Sequence, residues 1–172
     1  MNDAHLHLAI NHFPIIVPII ALLILLSSWL FRSETLSRTA YALFVLGAVT
    51  AFLTSWTGER AEEIVENLPN LNESMMHEHE EAGEKLAFMN YLLGILSLIT
   101  LWASLQQKTW RNYLKIAITL LAFVGIFLGK QAGTSGGEIR HTEIRANANL
   151  TTPEGTHNTP ENPKEEEEEN EH

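Results

Sequence analysis

The amino-acid sequence predicts an all-α membrane protein, a four-transmembrane-helix antiparallel bundle. Three observations carry that prediction. The 172-residue chain is 45% hydrophobic, an ordinary fraction, but its apolar residues are gathered into four runs. The first of these, Ile15 to Phe31, contains no charge. Apolar runs near twenty residues match a hydrocarbon core of about 30 Å. Finally, the first and last pairs of runs are joined by short connections, which favour antiparallel neighbours.

The first span is expected over 13–31. Pro14 and Pro18 suit a helix start followed by a first-turn kink, because each lacks an amide donor and frees a carbonyl upstream. A short connection, 32–38, carries Arg32 and Arg38 and leads to the second span, 39–57. The next connection, 58–85, is long and acidic. Within it "RAEEIVENLPNL" reads as a short helix ended near Pro69. The stretch "NESMMHEHEEAGEKLAFMNYLL" reads as a helix beginning near Asn72 or Ser74 and running into the third span, 86–105. After 106–110 comes the fourth span, 111–129. The following "GKQAGTSGGEIRHTEIR" reads either as a plain juxtamembrane loop or as a place where glycines bring backbone close to another helix or a bound group. The transmembrane domain is drawn as 1–146. Residues 147–172, rich in Asn, Thr, Pro and Glu, are expected to form a disordered acidic tail.

Lysine and arginine set the expected orientation. Arg32, Arg38, Lys108, Arg111 and Lys115 mark the short connections as the inner side, while glutamate dominates 59–85. Lys130, Arg140 and Arg145 run against this trend. The balance places both termini and the long helical loop outside. Trp29, Trp102 and Trp110 fall at the inner boundary and Trp56 at the outer one, as interfacial anchors do. The N-terminus lacks a basic n-region, so the first run is read as a retained helix.

The formal net charge of −10 lies mostly in the long connection and the tail. Nucleic-acid binding is disfavoured, since no basic stripe is present. The absence of cysteine removes disulfides, thiolate-held clusters and covalent haem attachment. No HExxH, nucleophile constellation or phosphate loop supports a hydrolase or an NTPase.

Histidine is the informative residue. His5, His7, His12, His77, His79, His141, His157 and His172 all fall on one side in this topology, and the inner connections contain none. His12 opens the first span beside Phe13 and Pro14, where an idle histidine is costly. His77 and His79 point about 200° apart on a helix, so only one faces the bundle. His79 is preferred, because its stripe continues through Ala82 or Gly83 to Leu86 and Leu93. "HEH" also reads as a solvated glutamate-rich face, and His157 and His172 as tail residues. Helix-end imidazoles around one mouth of a bundle suit a b-type haem, with His12 as one axial ligand and His79 or His141 as the other. Arg140 would pair with a propionate, or with loop glutamates. Two other readings remain. One is a divalent-metal (zinc or copper) site built from His77, His79 and nearby glutamates. The other is a membrane anchor or assembly subunit with an outer hydrogen-bond network.

The pattern "HLAINHFPI", His7 to Ile15, resembles the His-x-x-x-x-His-Phe-Pro-Ile opening of a bacterial four-helix membrane family, catalogued as domain-of-unknown-function family 2231. The resemblance spans about 5–145 and is carried by His7, His12, Phe13 and Pro14. Gly136, Gly137 and His141 are similar to the family's Gly-Gly and histidine after the last helix, at a shorter spacing. The resemblance implies a bacterial cytoplasmic membrane and neighbours such as c-type cytochromes and Rieske iron–sulfur modules. It favours haem over zinc. The expected function is a non-catalytic electron-transfer subunit holding one b-type haem near the outer face.

Overall fold

The computed structural model describes residues 2–65 and 73–141. The expected helix end near Pro69 and the tail 147–172 lie outside the described residues. Five helical segments follow in order: α1 (Asp3–Ile10), α2 (Phe13–Leu30), α3 (Glu34–Val65), α4 (Glu73–Leu105) and α5 (Arg111–Arg140). α1 and α2 run almost continuously through Asn11 and His12, whose carbonyl and neighbours keep helical hydrogen bonds, so the fold consists of four rods. All four are long and apolar enough to cross a membrane.

Packing gives the rods a ring order. α2 touches α3, α3 touches α4, α4 touches α5, and α5 returns to α2, while α1 lies on α3. The α2 and α4 rods are therefore diagonal partners. Small residues line the seams, including Ala21, Ala40, Ala51, Ala103 and Ala122, all at most 1% exposed. Gly94 lets α4 approach α3 so closely that a Cβ there would stand 2.5 Å from the Cβ of Ala48. Leu23, Phe52, Phe88, Ile95, Leu120 and Phe127 instead point outward and are exposed. Small residues inside and large apolar ones outside is the arrangement a lipid solvent selects.

The two prolines of α2 each leave a carbonyl without its helical donor. Pro14 frees that of Ile10, which accepts from Thr54 Oγ1 at 3.3 Å. Pro18 frees that of Pro14, which accepts from Asn90 Nδ2 at 3.1 Å. Side chains of α3 and α4 thus replace the missing amides.

Two stretches differ from the sequence expectation. Residues 130–140 continue α5 as helix beyond the span expected to end at 129, so the plain-loop alternative does not hold. Packing overrides the propensity cost of about 1 kcal/mol per glycine. Likewise residues 58–65 extend α3 and do not start a separate helix. The amino-terminal end of α4 does rise as one helix from Glu73 into the third span, as read from the sequence.

The buried positions repeat. Pro14, Pro18, Ala21, Leu22, Leu25 and Ser28 of α2 correspond at one constant offset to Leu86, Asn90, Leu93, Gly94, Ser97 and Thr100 of α4, all buried. At a second constant offset Ala40, Phe44, Gly47, Ala51 and Thr57 of α3 correspond to Ile118, Ala122, Gly125, Gly129 and Ser135 of α5, again all buried. With the ring order above, the first hairpin maps onto the second by a pseudo-twofold axis along the bundle.

Candidate functional site

The same offsets relate His7 to His79 and Gly58 to Gly136, at the end of the bundle away from the short connections. Each histidine is half-buried against the second helix of its own hairpin.

His7 projects from α1 onto α3. Its Nδ1 lies 3.1 Å from the Thr54 carbonyl oxygen and 3.3 Å from Thr57 Oγ1. A carbonyl only accepts, so Nδ1 carries the proton and donates. Thr57, 1% exposed, donates its own hydroxyl to the Leu53 carbonyl at 2.9 Å. The ring occupies space left by Gly58, where a Cβ would come within 3.2 Å of Cε1.

His79 repeats the arrangement from α4 onto α5. Its Nδ1 lies 3.1 Å from Ser135 Oγ, and that hydroxyl donates to the Ala132 carbonyl at 3.1 Å. With the hydroxyl proton directed there, Ser135 Oγ accepts from Nδ1–H. The ring again fills a glycine's place: a Cβ at Gly136 would stand 2.8 Å from Cε1. In both rings the Nδ1 proton is engaged, which leaves Nε2 as the nitrogen with a free lone pair. The two imidazoles come from diagonal rods and sit at the same end of the bundle.

One turn further along each rod are two more features. Asn11 follows His7 by four residues, and its Oδ1 is buried with no hydrogen-bond partner. Gly83 follows His79 by four residues, and a Cβ there would meet open space. Below this level the bundle closes: the cleft among Pro14, Pro18, Leu86, Asn90 and Gly125 leaves no space for a water molecule.

The remaining candidates are placed as follows. His12 caps the start of α2 and is exposed, as is His5. The side chain of His77 is 82% exposed and lies 3.6 Å from Glu80. His141 is the exposed C-cap residue of α5. The side chain of Arg140, and His157 and His172, lie outside the described residues. No group of three or more His, Cys, Asp or Glu side chains comes together among the described residues. The acceptors Thr54, Thr57 and Ser135 and the glycine Gly58 were not singled out from the sequence, whereas Gly136 was, through the Gly-Gly resemblance. Their one signal is a shared hydroxyl–glycine pair, Thr57-Gly58 and Ser135-Gly136, each on a helix opposite a histidine.

Compared with known proteins, the chain matches no family model, no curated protein and no solved structure.

Proposed function

We propose that this chain is a membrane subunit that holds a b-type haem between His7 and His79 and takes part in electron transfer. One observation carries the reading. Two imidazoles on diagonal rods each have Nδ1 tethered to the opposite helix and Nε2 left to coordinate. Metal-ligating histidines nearly always have the second ring nitrogen fixed in this way, which sets the tautomer and raises the basicity of the ligating nitrogen. The donor set suits the group, since two imidazole nitrogens would hold it, and Gly58 and Gly136 let the two rings pack against α3 and α5.

When bound, a bis-imidazole haem supplies one-electron transfer. The chain's own residues orient the ligands. Thr54, Thr57 and Ser135 hold the rings, and the closed layer at Pro14, Leu86 and Asn90 confines the site to the histidine end. The lack of a three-ligand cluster among the described residues disfavours a compact zinc or copper site. His7 takes the place first given to His12, because burial and a tether distinguish it.

The resemblance in "HLAINHFPI" supports a bacterial cytoplasmic membrane, and the arginine and lysine distribution supports a histidine end on the outer side, facing periplasmic partners such as c-type cytochromes. The test is the visible spectrum of the purified, dithionite-reduced chain. A b-type alpha band is expected, lost in His7→Ala and in His79→Ala and kept in His12→Ala. A colourless wild-type protein that cannot be reconstituted with haem would overturn the reading and leave the rings as a hydrogen-bonded helix clasp.

A further inference from the structure

The opposite end of the bundle is short of negative charge. Among residues 4–58 the only acidic one is Glu34, and none lies between Glu84 and Glu138. Against that single carboxylate the structure gathers three partly buried cations. Arg38 donates through Nε to Ser104 Oγ at 3.0 Å and through Nη2 to the Ser104 carbonyl at 3.2 Å. Arg111 lies 2.8 Å from Glu34 Oε1 and also reaches the Ser104 carbonyl, at 3.4 Å. Two guanidinium groups therefore converge on one carbonyl oxygen. Lys115 donates to Ser37 Oγ at 2.9 Å and stacks 4.6 Å over the Trp29 ring.

Glu34 balances one of these cations and leaves two uncompensated. Partial burial makes that imbalance costly, since charges removed from water need an opposite charge. The cluster also has donors to spare: one ammonium hydrogen of Lys115 and two N–H groups of Arg38 are used in the contacts above, and the rest remain. Its depth indicates the source of the missing anion. Trp29, Trp102 and Trp110 surround this end and are exposed, at the level where tryptophan rings meet headgroups.

We infer that Arg38, Arg111 and Lys115, beside Trp29, form a binding site for the phosphodiester of an anionic phospholipid. The site is independent of the haem reading. Basic side chains between helices at headgroup level recognise such lipids, with each cation contributing on the order of a fivefold change in affinity.

The test uses the full chain purified in neutral detergent. Retained lipid is measured by native mass spectrometry after incubation with phosphatidylglycerol, phosphatidylcholine or inorganic phosphate. Phosphatidylglycerol is expected to be retained and to raise the unfolding temperature, with neither effect from the other two. Lys115→Gln should lower retention about fivefold. Glu34→Gln should raise it, because the cluster becomes more positive. Lys108→Gln, an exposed cation outside the cluster, should leave it unchanged. Equal retention of phosphatidylcholine would overturn the inference. So would equal stabilisation by inorganic phosphate, which would make the ligand a free anion. If Lys115→Gln fails to fold, unchanged retention in Glu34→Gln would still overturn it.

Discussion

The two ends of the bundle use polar side chains in opposite ways. At the short-connection end, contacts run between helices and between hairpins: Arg38 of α3 to Ser104 of α4, Ser104 to Glu34, Arg111 of α5 to Glu34, Lys115 of α5 to Ser37 of α3. At the histidine end the ring contacts stay within one hairpin, His7 to Thr54 and Thr57, His79 to Ser135. The first pattern joins the two hairpins. The second orients a ring and leaves one of its nitrogens unused. Removing a member of a joining network should cost stability, whereas removing a member of an orienting contact should cost the site and spare the fold.

The largest effect on stability is expected from Arg38→Ala. It removes two hydrogen bonds from a charged donor at a half-buried position and should destabilise by about 2 kcal/mol, read from denaturant unfolding in detergent. A loss below about 0.5 kcal/mol would erase the contrast between the ends. Asn90→Leu lies between them. It orphans the Pro14 carbonyl and should cost about 1 kcal/mol, given the modest value of buried hydrogen bonds within membranes. Gly136→Ala belongs to the histidine end. Its Cβ displaces the His79 ring, so the b-type band should shift or vanish while the unfolding free energy moves by less than about 1 kcal/mol. If stability and spectrum fall together, the orienting contact also holds the hairpins. The smallest effect is Gln107→Gly. Gln107 holds φ at 54° where the Lys108 amide closes the α4 terminus on the Ala103 carbonyl. Glycine there should raise stability by a few tenths of a kcal/mol in the same assay.

The spans were readable because hydrophobic length is a local property of sequence. So was the burial of His79 beside an exposed His77, since the stripe through Leu86 and Leu93 does lead inward and both leucines are buried. Of the two readings of the glycine-rich segment of α5, the close approach to another helix agrees with Gly136 lying against His79, whereas the helical continuation was not readable, because "GTSGG" lowers helix propensity. The arginine network was not readable either, as Arg38, Ser104 and Arg111 meet only once two hairpins are side by side. The part-buried, hydrogen-bonded placement of His7 was not readable for a similar reason. What distinguishes it from His12 is a carbonyl and a hydroxyl some fifty residues away, at 47 and 50 positions' separation.

The constant offsets between the hairpins bear on how such a molecule is assembled. Each hairpin carries one imidazole, its own acceptor and its own glycine, and the two are related by rotation about the bundle axis, so both half-sites open at the same end. A single hairpin that formed a homodimer would build the whole site on its symmetry axis. The present chain is equivalent to that homodimer with its two copies linked and free to diverge. Its two halves can diverge in sequence, as Pro18 and Asn90 already differ at one matched buried position, while each keeps its own imidazole and glycine.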